Sequence, residues 1–111
     1  MAFGVYVHVP FCRHRCDYCA FATWTDRTDL AERYLAACRR QIEDAAPGLP
    51  PVTSVFVGGG TPSLVAPDDL LEVLAAVPLA PGAEVTVECN PDDLDLERAA
   101  AYAAGGITRL S

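Results

Sequence analysis

The sequence predicts an α/β fold, in which β-strands and α-helices alternate along the chain. Three segments rich in β-branched residues are each followed, after a loop, by a segment with apolar residues at helical spacing. Proline, glycine or asparagine stands where each of these strands ends. Such an alternation favours a parallel sheet with right-handed crossovers. In chain order, the predicted strands are 3–9, 54–57 and 84–89, and the predicted helices are 26–46, 67–77 and 94–104.

The first predicted strand, 3–9, alternates between two faces. Its odd positions are apolar, whereas Tyr6 and His8 occupy the other face. Pro10 ends the strand because proline has no N–H to donate to a neighbouring strand. A cysteine-rich loop then leads to the first helix.

The predicted helices have recognisable ends. The first, 26–46, can be capped by Thr28 or the aspartate after it, and the proline-rich segment 47–51 ends it. The second, 67–77, begins with a proline followed by two aspartates, which suit a first helical turn. Residues 78–82 are predicted to form a turn before the third strand.

The third strand has a polar face that carries Glu84, Thr86 and Glu88, with Cys89 on the opposite face as a buried thiol. An open doubly wound sheet and a (β/α) barrel both fit the order of the elements. Polar strand faces favour the barrel, because its interior can hold a ligand, whereas helices cover both faces of an open sheet. Residues 105–111 have the character of the start of a fourth strand.

The charge and hydropathy of the chain exclude several classes of function. Fifteen acidic residues outnumber eight basic ones, all arginine, for a net charge of −7. Such a surface repels phosphate backbones, so we expect no nucleic-acid partner. No apolar run approaches the roughly 20 residues that span a bilayer. The N-terminus lacks the basic start and long apolar core of a signal peptide. We therefore expect a cytoplasmic protein with no transmembrane segment.

The strongest chemical signal is a group of three cysteines, Cys12, Cys16 and Cys19, spaced C-x3-C-x2-C directly after the first strand. Three thiolates can hold an iron–sulfur cluster and leave one iron open to a ligand. A structural zinc site needs four ligands. His14 or Cys38 could supply the fourth, although His14 lies between two of the cysteines and Cys38 falls on an apolar helix stripe. A redox C-x-x-C pair does not need the third cysteine. The spacing favours the open cluster, with zinc as the alternative.

A run of three glycines, Gly58, Gly59 and Gly60, precedes Thr61 at the end of the second strand. Glycine lets a ligand approach the main chain, and we expect exposed N–H groups here. By itself a triple glycine is more often a flexible turn, and this one matches neither a Walker loop nor G-x-G-x-x-G. It gains weight because parallel strands would bring it to the same edge of the sheet as the cysteines.

These motifs together resemble the radical S-adenosylmethionine family. The similarity begins with residues 6–12 and the cysteine loop, continues in 57–63 and 88–92, and ends with 105–111, so it spans the chain. More narrowly, the pattern resembles the group that contains oxygen-independent coproporphyrinogen III oxidases (dehydrogenases) and HemW heme chaperones.

The resemblance implies a [4Fe-4S] cluster on the three cysteines and S-adenosylmethionine on its open iron. It also implies heme or a porphyrinogen as ligand, an electron donor for the cluster and a heme-accepting protein as partner. The cofactor contacts that it implies are Tyr6, Tyr18, Gly59, Gly60, Thr61 and Glu88.

One position separates the two functions of this group. The oxidases typically continue the third cluster cysteine as C-x-C, whereas this chain has Cys19-Ala20-Phe21. Phenylalanine at this place is similar to the HemW proteins, so the resemblance implies a heme chaperone that acts in heme delivery. Oxidative decarboxylation of coproporphyrinogen III is the alternative, and a structural zinc-binding module is a third.

The length of the chain bears on its completeness. About three βα units and the start of a fourth strand cannot close a barrel, and one sheet edge would stay unpaired. We therefore predict that residues 1–111 are the N-terminal portion of a radical SAM core domain. The expected fold is the N-terminal part of a (β/α) partial TIM-type barrel.

Overall fold

The computed structural model of the protein describes residues 2–10, 30–60, 62, 65–91 and 94–111. Within them, four parallel strands form one sheet in the order β1-β2-β3-β4, and helices alternate with the strands. The predicted α/β class is confirmed. The strands are β1 (Gly4–Val9), β2 (Val52–Gly59), β3 (Leu79–Val87) and β4 (Arg109–Leu110), and the helices are α1 (Ala31–Ala45), α2 (Pro67–Ala75) and α3 (Leu96–Ala104).

The start of β3 corrects the sequence prediction. The turn expected at residues 78–82 is largely strand, because Leu79 pairs with Val52 at the start of β2. The register then shifts between Val52 and Ser54, which absorbs the turn-forming residues as an irregularity of the strand. A partner strand has thus overridden local turn propensity.

The helix ends also differ from the prediction. Residues 26–29, with the expected caps, lie outside the described residues. Helix α2 ends at Ala75, two residues early. Helix α3 begins two residues late because the Asp95 side chain accepts a 2.7 Å hydrogen bond from the Arg98 N–H and so caps the helix there.

The core lies between one face of the sheet and the three helices. The odd-numbered valines of β1, β2 and β3 point to this core, where all but the half-buried Val5 are buried with residues from every helix, as the alternation of the first strand predicted. The buried helix residues of this core are Leu35 of α1, Leu70, Val73 and Leu74 of α2, and Tyr102 of α3.

The opposite face of the sheet is open. Tyr6, Phe56, Thr86 and Arg109 lie side by side across the four strands on this face. Tyr6 is 57% exposed and Phe56 is 40% exposed. A sheet with helices against one face and polar or aromatic groups on the other matches the wall of a (β/α) barrel seen from inside. In the described part of the chain, no helix is long and apolar enough to cross a bilayer.

Candidate functional site

The carboxyl ends of the strands bring the predicted site residues together. His8 of β1 lies beside Gly58 of β2, and the Glu88 N–H donates to the Val57 carbonyl at 2.9 Å. The strand that precedes the cysteines, the glycine run and Glu88 therefore meet at one edge of the sheet, where (β/α) folds place their functional groups.

The Glu88 carboxylate lies over the glycine backbone. Its Oε1 accepts a 3.1 Å hydrogen bond from the Gly59 N–H. A Cβ added to Gly58 would stand 2.3 Å from this oxygen and 2.7 Å from Cε1 of Phe56, so only glycine leaves room for the carboxylate. We refer to Gly58, Gly59 and Glu88 as the glycine–glutamate cradle.

Gly59 is required for two further reasons. Its φ of +113° lies in a region that residues with a side chain rarely adopt. A Cβ at this position would also stand 2.7 Å from Nδ1 of His8 and 2.8 Å from the Val9 carbonyl oxygen. The end of β2 is thus packed directly against the end of β1.

The N–H groups of the glycine run were expected to be exposed, and this expectation was wrong. They are not exposed to a ligand, because Gly59 donates to Glu88 and Gly60 donates to the Val9 carbonyl at 2.7 Å. What the cradle offers is an acceptor, the Glu88 carboxylate, and it therefore suits a ligand that donates hydrogen bonds and carries positive charge, such as an ammonium group.

Tyr6 stands next to the cradle on the open face. Its hydroxyl lies 3.3 Å from Nδ1 of His8, and its ring stacks on Phe56 with centroids 6.0 Å apart. Burial, and secondarily the charge of Glu88, raise the pKa of Tyr6 above its ordinary value. The phenol therefore stays protonated and can donate a hydrogen bond. Sequence reasoning missed Phe56, although its even position on an alternating strand was the available signal.

A cleft of about 350 Å³ opens beside the cradle at the ends of β2, β3 and β4. Gly60, Glu88, Cys89 and Ser111 are among its lining residues. Cys89 was predicted to be a buried thiol, but it is half-buried, and its Sγ contacts the Asn90 carbonyl at 3.7 Å. The prediction was wrong because β3 ends at Val87, so the strand alternation no longer sets the direction of this side chain.

The structure leaves some of the predicted site residues untested. Gly59 and Glu88 form part of the cradle, and Tyr6 and Gly60 lie beside it. Across the described ranges, no three His, Cys, Asp or Glu side chains come together as a metal site. Cys12, Cys16, Cys19, Tyr18 and Thr61 lie outside the described residues.

Comparison with known proteins identifies the class to which this fold and this strand edge belong. The radical SAM superfamily matches residues 6–111, nearly the whole chain. The chain therefore belongs to the radical SAM superfamily.

Within this superfamily, the chain is similar to heme chaperones and to coproporphyrinogen III oxidases. The chain is 46% identical over 118 residues to the heme chaperone HemW of Mycobacterium tuberculosis, covering 98% of this chain and 30% of the relative. It is 36% identical over 119 residues to the oxygen-independent coproporphyrinogen III oxidase of Paracoccus denitrificans, covering 99% of this chain and 26% of the relative. It thus spans less than a third of the length of these relatives.

A solved structure confirms the architecture. The coproporphyrinogen III oxidase HemN of Escherichia coli, described as a radical SAM enzyme, superposes with a TM-score of 0.84 at 28% identity. The match covers 98% of this chain and 27% of HemN. The predicted fold, the N-terminal part of a radical SAM barrel, is confirmed by this likeness.

Proposed function

We propose that the chain is the cofactor-binding portion of a longer cytoplasmic protein that acts as a heme chaperone. The observation that carries the cofactor part of this proposal is the glycine–glutamate cradle, which lies where β1 leads into the C-x3-C-x2-C segment. The chaperone part is supported by Cys19-Ala20-Phe21 and by the 46% identity to the M. tuberculosis HemW.

The residues present fit the cofactors of the family. A cradle whose available group is a carboxylate suits the ammonium of the methionine part of S-adenosylmethionine, and the three cysteines are the thiolate set of a cluster with an open iron. Bound there, the reduced cluster would supply the electron that cleaves a carbon–sulfur bond of the sulfonium. In this proposal Cys12, Cys16 and Cys19 hold the cluster, and Tyr6, Tyr18, Gly59, Gly60, Thr61 and Glu88 contact S-adenosylmethionine.

Each described residue has a simple task in this arrangement. Glu88 attracts the ammonium group and is itself held in place by the Gly59 N–H. Tyr6, kept protonated, donates a hydrogen bond from the open face. The glycines leave the space that a side chain would fill. The protein thereby orients the cofactor.

The test uses the full-length protein, reconstituted anaerobically with iron and sulfide. We expect about four irons and four sulfides per chain, which the triple variant Cys12→Ala, Cys16→Ala, Cys19→Ala loses. The variant Cys38→Ala is the matched control, because Cys38 packs against the core on α1 and should leave the cluster intact. Bound zinc without sulfide would instead support the structural zinc module and overturn the proposed iron–sulfur cluster.

A second measurement separates chaperone from oxidase. The likeness to HemN favours oxidation of coproporphyrinogen III as the second candidate. Stoichiometric heme binding and transfer to an acceptor protein, without turnover of coproporphyrinogen III, is the result that we expect. Decarboxylation of coproporphyrinogen III by the reconstituted protein with S-adenosylmethionine and a reductant would refute the chaperone assignment.

A further inference from the structure

The outer edge of β1 carries a contact that the site described so far does not use. In the described part of the sheet, β1 pairs only with β2. The Val9 carbonyl accepts from Gly60 and so faces β2, and because carbonyls alternate along a strand, the His8 carbonyl faces the open edge. The Tyr34 hydroxyl, on α1, donates a hydrogen bond to this carbonyl.

The surroundings of Tyr34 keep its hydroxyl in this hydrogen bond. It is half-buried, it packs against the core, and it belongs to a groove between α1 and β1 that Cys38 also lines. Burial, followed by the neighbouring Cys38, raises the pKa of Tyr34 to about 12. Its hydroxyl therefore keeps the proton that it donates.

His8 links this contact to the cradle. The His8 ring packs against Gly59, where a Cβ would stand 2.7 Å from Nδ1. The same nitrogen lies 3.3 Å from the Tyr6 hydroxyl. A shift of the His8 backbone would therefore displace both Tyr6 and the glycine that holds Glu88.

We propose that Tyr34 is a positioning residue, whose hydroxyl fixes the end of β1 and thereby sets His8, Tyr6 and the glycine–glutamate cradle for the cofactor. This inference rests on the proposed function, because it assigns the cradle to S-adenosylmethionine. A merely structural tyrosine would contribute to folding stability without affecting the affinity of the cradle for its ligand.

The first experiment needs no cofactor. Hydrogen–deuterium exchange of the full-length apoprotein is compared for the wild type, Tyr34→Phe and Ile42→Val. Loss of one hydrogen bond should make amides at the end of β1 exchange about fivefold faster in Tyr34→Phe. The amides of β3 should keep their rate in all three proteins. Ile42→Val is the local control, since Ile42 lines the same groove and has no polar side-chain atom that could bond to the Tyr34 hydroxyl.

The second experiment measures S-adenosylmethionine binding from the change that it causes in the electron paramagnetic resonance spectrum of the reduced cluster. We expect Tyr34→Phe to keep the iron and sulfide content of the wild type and to bind about fivefold more weakly. Unchanged exchange at β1, unchanged affinity, or an equal loss in Ile42→Val would each overturn the positioning role. A wild type that gains no cluster overturns the proposed function itself, and is recognised because the failure precedes any substitution.

Discussion

Substitution of Gly58 by alanine tests the cradle most directly. The added Cβ would stand 2.3 Å from Oε1 of Glu88, 2.7 Å from Cε1 of Phe56 and 3.2 Å from the Tyr6 hydroxyl. These atoms lie at the ends of side chains, and the φ of Gly58 is not positive, so the backbone can stay in place. The Glu88 carboxylate must swing away, and its hydrogen bond with the Gly59 N–H is lost.

The size of the effect follows from that single loss. A hydrogen bond to a charged group contributes roughly 1.5–3 kcal/mol, and the partial exposure of Glu88 reduces this to about 1 kcal/mol of folding stability. The loss of a carboxylate aimed at an ammonium should weaken S-adenosylmethionine binding about tenfold, which corresponds to about 1.4 kcal/mol. Binding should therefore suffer more than folding.

The assay compares Gly58→Ala with Gly48→Ala in the reconstituted full-length protein. Gly48 is the matched control, because a Cβ there meets no atom within 4 Å and its φ is not positive. Isothermal titration with S-adenosylmethionine gives the affinity, and urea unfolding gives the stability. If Gly58→Ala binds within twofold of Gly48→Ala, the cradle does not hold the cofactor and the reasoning is refuted.

Three further predictions concern stability, all measured on the full-length protein. Gly59→Ala should cost more than Gly58→Ala, about 2–4 kcal/mol in urea unfolding, because it combines a positive φ with a clash against the Val9 carbonyl; an equal cost would contradict this. Leu70→Ala empties a fully buried position and should cost about 2–5 kcal/mol in the same assay, whereas a loss below 1 kcal/mol would contradict its place in the core. The raised pKa of Tyr34 means that the folded state holds the phenolic proton more tightly than the unfolded chain does. Its contribution to stability should be complete below pH 10 and should be lost between pH 10 and about 12. The melting temperature of Tyr34→Phe should therefore fall less steeply over this window than that of the wild type. Identical slopes would contradict a raised pKa of Tyr34.

Local sequence signals were sufficient for most of the fold. Alternation of Tyr6 and His8 with buried valines predicted both faces of β1 correctly, because the period of two is a property of any extended strand. The turn expected at residues 78–82 was wrong because Val52, distant in sequence, pairs with Leu79. Propensity describes a residue's neighbours along the chain and carries no information about a partner strand.

The candidate site was also predicted only in part from the sequence. Gly59, Gly60 and Glu88 could be selected from the sequence, since they stand at strand ends in motifs that match a family. The direction of their hydrogen bonds could not be predicted. The glycine N–H groups, expected to be exposed, instead donate hydrogen bonds to Glu88 and to the Val9 carbonyl. Phe56 was missed although its position on β2 was an available signal. Tyr34 could not be found, because its contact with the His8 carbonyl joins α1 to β1, and that contact depends on tertiary packing.

The sequence by itself determined that strands and helices alternate, that one strand face is apolar and the other polar, and that the glycines and Glu88 stand at strand ends. These properties follow from periodicity and residue type, which are local. The tertiary structure decided which donor meets which acceptor: the carboxylate over Gly58, the His8 ring against Gly59 and the Tyr34 hydroxyl on the edge of β1. Such contacts depend on the register between parallel strands and on the packing of α1 against the sheet, which join residues far apart in the chain.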